Sequence, residues 1–472
     1  MKKLHLKSLT KYVLLGYFIY VLLTAVFAFG IYTPPERDLD STQQRWISET
    51  SEQVVLIEDR QDAWRVRLDL IESAEHSLDI SYYAMQGGET VDLFYAHLLA
   101  AADRGVQVRF LIDGIFHNIR FGDRDIIRVF NEHPNMSLSF YEPFDPTRPW
   151  SWHNRLHDKF IVADQTYALI GGRNIGDKYF APDHYQGSSN DRDVLIVNEN
   201  QQQSSLTSEI SDYFDYLWSH EFTVLQTDKD LTRWGERRAV AEKTNLETSY
   251  ESYQTSSHER CERMSEWRDQ AHQINGGFFV HNSIDRFYKQ PNVWLEMLAL
   301  IDQAEQQALV QSPYVIPSRL IREDLSKLRM DRVDGKLLTN GLAATPNMIA
   351  HSGYRNHRQA LAASDLSLYE FQGPDQSLHM KSIIIDQQIT AVGSFNLDAR
   401  SAFLNTESMI VIDSPGLADE VMTLINEDYL SNSLLVNQGE ASLTNQLEST
   451  PLIKRIMTLV ARPFTRLIEF LL

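Results

Sequence analysis

Twice in this chain a histidine, a lysine, an aspartate, a glycine and an asparagine follow one another at the same intervals. Residues 156–174 read LHDKFIVADQTYALIGGRN, and residues 378–396 read LHMKSIIIDQQITAVGSFN. One constant offset carries His157 onto His379, Lys159 onto Lys381, Asp164 onto Asp386, Gly171 onto Gly393 and Asn174 onto Asn396. Imidazole can serve as nucleophile or general acid–base, and ammonium and amide groups can hold negative charge. Along a strand, positions i and i+2 share a face, so each His points the same way as its Lys. FIVAD and SIIID continue as short buried strands, turn at the Asp and return through YALIGG or ITAVGS. The hairpin brings Asn174 and Asn396 back towards the His. Gly172 and its counterpart Ser394 lie in the same small-residue stretch, where backbone can approach a bound group closely.

A third element fits this chemistry. DRDVLIV (191–197) and NTESMIV (405–411) each start a strand with a carboxylate, Asp193 and Glu407. Such a carboxylate can hold an imidazole in one tautomer and stabilise its protonated form. Asp164 and Asp386, at the turns, read as scaffold carboxylates rather than bases. With Lys and Asp each about 6% of residues, 15 histidines give roughly 0.05 chance matches to H-x-K-x4-D. A single His–Lys strand would more often be a surface edge strand; two with the same tails are not chance. A zinc site is the other alternative, but Lys is not a usual ligand and neither motif supplies a His/Cys cluster. No metal or cofactor is therefore expected. His153, His351 and His357 read mostly as structural, with His351 and Tyr354 as the two that could line a pocket.

The elements that must position these groups are duplicated too. LIESAEHSLDISYY (70–83) and LIDQAEQQALVQSPY (300–314) each read as a helix end followed by a half-buried strand. A helix and another strand follow in each half, then the motif hairpin. Alternating strands and helices predict two α/β domains of similar fold, over 38–227 and 274–445. Between them, 228–273 reads as a charged helical connector. The length allows two or three cores. A net charge of −20 works against a long duplex nucleic acid as the main partner. The single cysteine, Cys261, excludes an intrachain disulfide and reads as a bland thiol in the connector.

Both ends read as membrane-seeking. Lys2, Lys3, Lys7 and Lys11 precede an uncharged stretch from Tyr12 to Tyr32, enough to span about 30 Å of hydrocarbon. A cleaved signal peptide ending near Val26 and Ala28 is the alternative, but the run is long for one. The charge flanks place residues 1–37 as a single-pass anchor with its N-terminus inside and the bulk of the chain outside. Residues 446–472 mix Lys454, Arg455, Arg462 and Arg466 with large apolar residues. They read as a basic amphipathic helix on an anionic membrane surface, or as a helix that merely docks on the domain, with a kink at Pro463.

The duplicated motif resembles that of the phospholipase D superfamily, and most closely its bacterial cardiolipin synthase branch. GGRNIGDKYF (171–180) and GSFNLDARSAFLNTE (393–407) carry the likeness, with LTNGLAA (338–344) and HSGY (351–354) as weaker support. YYAMQ (82–86) and IDGIFHN (112–118) depart from it, lacking the Trp and paired acidic residues expected there. The resemblance implies two such domains, mixed sheets flanked by helices, joined about a pseudo-twofold around one active site. In that site Lys159, Lys381, Asn174 and Asn396 would bind the charge that builds on a phosphodiester under attack. His157 would be the nucleophile forming a phosphohistidine, and His379 the acid that protonates the leaving alcohol and then activates the acceptor. The implied substrates are membrane phospholipids, phosphatidylglycerol first and phosphatidylethanolamine as a further candidate, at a bacterial cell membrane with no obligatory protein partner. Hydrolysis to phosphatidic acid is the close rival, and a nuclease is opposed by the charge and the anchor. A non-catalytic scaffold would have no need of two intact histidines.

Overall fold

Apolar residues that run without interruption, such as FIVA and SIII, belong in strands covered on both faces, and the computed structural model places them there. It describes residues 2–31, 46–48, 50–119, 124–181, 185–227, 233–256, 264–328, 330, 332–373, 375–436 and 450–472. Cys261 lies outside the described residues, as does much of the stretch before the C-terminal helix.

The first domain is built on strands β1 (Gln53–Ile57), β2 (Ser77–Tyr82), β3 (Gln107–Asp113), β4 (Met136–Tyr141), β5 (Phe160–Ala163), β6 (Tyr167–Gly171) and β7 (Asp193–Val197). Their order in the sheet is β1-β7-β6-β5-β2-β3-β4, with His272–Gln273 added beside β1 and Thr223–Leu225 beside β4. The second domain repeats this with β8 (Gly276–His281), β9 (Gln307–Gln311), β10 (Asp334–Asn340), β11 (Ser367–Phe371), β12 (Ser382–Ile385), β13 (Ile389–Gly393) and β14 (Ser408–Asp413). Its order is β8-β14-β13-β12-β9-β10-β11, edged by Ser433–Leu435. In both sheets the trio towards one edge is parallel (β2, β3, β4 and β9, β10, β11) and the motif hairpin is antiparallel. Both sheets are therefore mixed, as expected.

Successive side chains alternate between two cores. Ile161 and Ala163 face the first domain's own core with Leu169 and Leu195. Phe160 and Val162 face a central core that also takes Ile384, Val392 and Ile410 from the second sheet. That central core includes Ile210 and Phe214 from the helix Leu206–Ser219, and Leu417 and Val421 from the helix Pro415–Leu424. Ile383 and Ile385 face a third core beyond the second sheet. One hydrophobic interior thus joins the halves. A short parallel pairing of Ser188–Asn190 with Gln376–Leu378 also crosses between them. Arg192, fully buried, forks onto Glu58 at 2.7 and 3.0 Å and reaches Gln311 (2.7 Å) and Ser382 (2.8 Å) in the other domain.

The N-terminal helix α1 (Lys2–Ala25) continues as a wider turn over Val26–Ile31. Thr10–Phe29, with mean hydropathy 2.2, is the one stretch among the described residues long and apolar enough to cross a membrane. The connector forms α2 (Arg233–Ser256), which packs on the helices Glu89–Asp103 and Arg124–Glu132 and so covers the outer face of the first domain. Helix α3 (Met348–Ala362) flanks the second sheet and carries the C-terminal helix on its outer side.

Candidate active site

The two hairpins turn at Asp164–Gln165 and Asp386–Gln387, all four with φ between +52° and +54°. Two successive left-handed residues make the turn whose twist matches the flanking strands. The Asp carboxylates stabilise this geometry from the far end of the hairpin. Asp164 accepts from the backbone N–H groups of Glu75, His76 and Ser77 at 2.7–2.9 Å, and Asp386 from those of Glu305, Gln306 and Gln307 at 2.8–2.9 Å. Asp164 and Asp386 therefore anchor each hairpin to the start of β2 or β9.

At the opposite end the histidines lie in extended chain just ahead of β5 and β12, and each is fixed to the other domain. The His157 N–H donates to Thr406 Oγ1 (3.0 Å), and the His379 N–H donates to the Asn190 carbonyl (2.7 Å). The imidazoles are exchanged in the same way. His157 Nδ1 meets Glu407 Oε2 of the second domain at 2.9 Å. His379 Nδ1 meets Asp191 Oδ2 of the first domain at 2.5 Å. With Nδ1–H donated to a carboxylate, Nε2 of each ring is left with its lone pair. Both side chains keep 13% exposure while both carboxylates are sealed. Only the ring tips reach outside.

Asp193, expected with Glu407 to hold an imidazole, does not do so: the carboxylate on His379 is Asp191. Asp193 Oδ2 is held by Arg67 and Arg173, each at 2.8 Å and fully buried. The cause is register. Gly171 pairs with Asp193, whereas Gly393 pairs with Met409, so the true counterpart of Glu407 lies two residues earlier, at Asp191. Gly172 and Ser394, expected to touch substrate, lie against these two carboxylates. A Cβ on Gly172 would lie 2.3 Å from Asp191 Oδ1. Ser394 Oγ donates to Glu407 Oε2 at 2.5 Å.

Lys159 and Lys381 are buried beside the rings, their ammoniums donating to the carbonyls of His157 and His379. Lys381 Nζ also lies 2.9 Å from His379 Nδ1 and 3.8 Å from Asp191 Oδ2. Asn174 and Asn396 are buried, with Nδ2 donating weakly to Tyr179 Oη (3.3 Å) and Ser401 Oγ (3.4 Å). Three tyrosines that the sequence reading passed over stand edge-on to the histidines: Tyr83 at 5.0 Å from His157, and Tyr179 and Tyr314 at 5.5 and 6.4 Å from His379. Tyr83 packs on the half-exposed Phe116, so the two departing segments, YYAMQ and IDGIFHN, meet at the mouth beside His157. Tyr354 is spent elsewhere, donating to Glu370 at 2.7 Å beside Arg358. Among the described residues no group of three or more His, Cys, Asp or Glu side chains is placed to hold a metal ion.

Burial sets the protonation states. It drives His157 well below the usual imidazole range and His379 down to about 3, with the lysine ammoniums adding to both. It brings Lys159 down to about 7 and pushes Glu407 up to about 7. Asp191 goes the other way. Burial opposes its charge, but Lys381 and His379 outweigh that and hold it ionised below the ordinary carboxylate range. The pseudo-twofold is therefore broken electrostatically: the His379 side carries the firm anion.

The family described as cardiolipin synthase, phospholipase D-like domain, matches residues 68–218 and 297–429, more than half of the chain and one match per sheet. The chain belongs to that family. The phospholipase D-like chain is similar to cardiolipin synthase C of Escherichia coli K12, 29% identical over 76% of this chain and 80% of that protein. It is 24% identical to a cardiolipin synthase of Geobacillus thermodenitrificans over 75% of this chain and 62% of that one. Among solved structures, phosphatidylserine synthase of Haemophilus influenzae Rd KW20 shares the fold, with a TM-score of 0.63, 14% identity, and coverage of 92% of this chain and 98% of that one. The chain is a phospholipase D-type enzyme, and its family is one of phospholipid phosphatidyl transfer.

Proposed function

We propose that this enzyme is a cardiolipin synthase-type phosphatidyltransferase, working on phosphatidylglycerol through a phosphohistidine. The observation that carries the reading is the reciprocal pairing of each imidazole with a carboxylate of the opposite domain, between two buried lysines. His157 Nε2 attacks phosphorus, and the bond from phosphorus to the leaving alcohol oxygen breaks as His379 Nε2–H delivers a proton to that oxygen. His379 then takes the proton of the acceptor hydroxyl, whose oxygen attacks phosphorus as the P–N bond to His157 breaks. Lys159, Lys381 and the amides of Asn174 and Asn396 face the charge that develops on the phosphoryl oxygens.

His379 suits the acid–base role because its partner Asp191 is the ionised carboxylate. Its depression to about 3 comes from burial and then Lys381. An anionic phosphodiester seated on Lys381 cancels the second cause, so substrate binding favours the imidazolium that the first step needs. A helix able to cross the membrane keeps the site where lipid hydroxyls are concentrated. On this reading residues 1–37 form a single-pass anchor with the catalytic domains, 38–227 and 274–445, on the extracytoplasmic side.

The test is the product ratio from labelled phosphatidylglycerol in mixed micelles. Cardiolipin is expected to exceed phosphatidic acid. If phosphatidic acid dominates at every acceptor concentration, transfer is refuted and the enzyme is a hydrolytic phospholipase D.

A further inference from the structure

The C-terminal helix α4 (Leu452–Leu467) is turned inside out. Its polar stripe faces the protein. Lys454 Nζ donates to the carbonyls of Ala343 (3.0 Å) and Thr345 (3.2 Å). Ser352 Oγ donates to the Thr458 carbonyl, Arg462 Nε to Asn356 Oδ1, and Asn356 Nδ2 to Thr465 Oγ1. Just beyond the helix, Glu469 accepts from Arg322 at 2.9 Å and pairs with His357 at 2.9 Å. Fixed on both flanks, the helix cannot roll its other side inward. That other side carries Leu452, Ile453, Leu459, Val460, Phe464 and Leu467, which are 58–75% exposed. A contiguous exposed patch of such residues marks an interaction surface.

The surroundings say what covers it. The turn Glu469–Leu471 that follows α4 touches Val26–Ile31, the end of the helix able to cross a membrane. Phe29 is buried in the core against which Phe470 and Leu471 pack. The apolar face of α4 therefore begins where the hydrocarbon-length helix meets the body. At 16 residues α4 is about 24 Å long, short of a span and crossed by cations, which suits a helix lying in the plane of the interface.

We infer that the outward face of α4 inserts into the lipid leaflet beside α1, giving the enzyme a second, monotopic membrane contact. This goes beyond the proposed reaction and does not depend on it. The contact differs from the one the composition suggests. Lys454, Arg455 and Arg462 are occupied by carbonyl and amide oxygens of the protein, leaving Arg466 as the outward cation. A chain of net charge −20 is not drawn to anionic lipid by one arginine. Insertion is apolar, so it proceeds on neutral lipid and resists salt. It also seats the catalytic body. Arg400, an electrostatic neighbour of His157 and Tyr83, donates to the Leu471 carbonyl at 3.0 and 2.8 Å.

The test uses the full chain with Cys261→Ser and a single new cysteine, Val460→Cys or Leu467→Cys, carrying an environment-sensitive fluorophore. Glu247→Cys on α2 is the water-facing control. In vesicles of phosphatidylcholine with brominated acyl chains, the probes at 460 and 467 are expected to be quenched at least about twofold relative to unbrominated vesicles, with the control unchanged. Half-molar salt should alter neither result. If both α4 probes stay as unquenched as the control, the inference is wrong. A blue-shifted probe unquenched by brominated lipid also overturns it, because a second copy of the chain then covers the face. Both α4 positions point away from the body, so labelling them leaves the fold intact, and the readout needs no turnover.

Discussion

Exchanging Asp191 for asparagine tests the register that separates it from Asp193. Asp191 Oδ1 accepts from the Arg192 N–H at 3.0 Å, while Oδ2 holds His379 Nδ1. An asparagine that keeps the first bond turns its NH2 towards Nδ1. Nδ1 must then accept, the proton moves to Nε2, and the ring can no longer take a proton from an incoming alcohol. The lost attraction between the carboxylate and the imidazolium is roughly 6 kcal/mol at an effective dielectric constant of about 20. Part of this is not realised, because Lys381 Nζ, 3.8 Å from Asp191 Oδ2, already offsets the carboxylate's pull on the ring in the parent. A loss of about 10³–10⁴-fold in turnover follows, or about 4–5 kcal/mol. The backbone carbonyl of Asp191 still accepts from Arg173, so the unfolding temperature should change little.

Asp193→Asn should behave in the opposite way. It leaves Arg67 and Arg173 sharing one neutral acceptor in a sealed site, which costs about 3–5 kcal/mol of stability. The unfolding temperature should drop on the order of 10 °C, while the folded fraction keeps turnover within about tenfold of the parent. The assay is transfer or release from a fluorescent phosphatidylglycerol in micelles, run beside thermal unfolding in the same detergent. If Asp191→Asn retains turnover within tenfold at an unchanged unfolding temperature, or if the two phenotypes are swapped, the cross-domain pairing is wrong.

His157→Ala and His379→Ala should each lower turnover by on the order of a thousandfold or more, because nucleophile and acid act as a unit; activity within tenfold in either folded variant would sink the two-histidine mechanism. Lys159 is held down to about 7, so the ammonium that binds an anionic substrate prevails only below that pH, and kcat/KM should fall as pH rises through about 7. Glu407 titrates in the same window and favours the charged Lys159 as it ionises, so the limb belongs to the pair. A profile flat from about pH 6 to 9 would refute the assignment.

Much of this architecture was legible because the chain states it twice. The matching intervals fixed both hairpins, put His and Lys at one end and the turn aspartates at the other, and predicted two like α/β domains. What stayed hidden depends on contacts between segments that local pattern cannot order. Asp191 and Asp193 lie two apart where the chain enters β7, in the same alternation phase, so alternation cannot choose between them. Only the pairing of Gly171 with Asp193 against Gly393 with Met409 decides. The exchange of carboxylates was equally out of reach, since a half read alone offers its own acid to its own histidine. That exchange has a physical consequence: neither imidazole has a fixed tautomer until both domains are docked. The interior that docks them is made from side chains of both sheets together. A helix period likewise gives α4 two faces without saying which is buried. The usual expectation, apolar side in, fails there because α3 offers Asn356 and Ser352, and the loop before it offers carbonyls, where a core helix would meet hydrocarbon. Polar partners on the receiving surface, rather than the amphipathic helix itself, set the orientation and leave eight large apolar side chains to the outside.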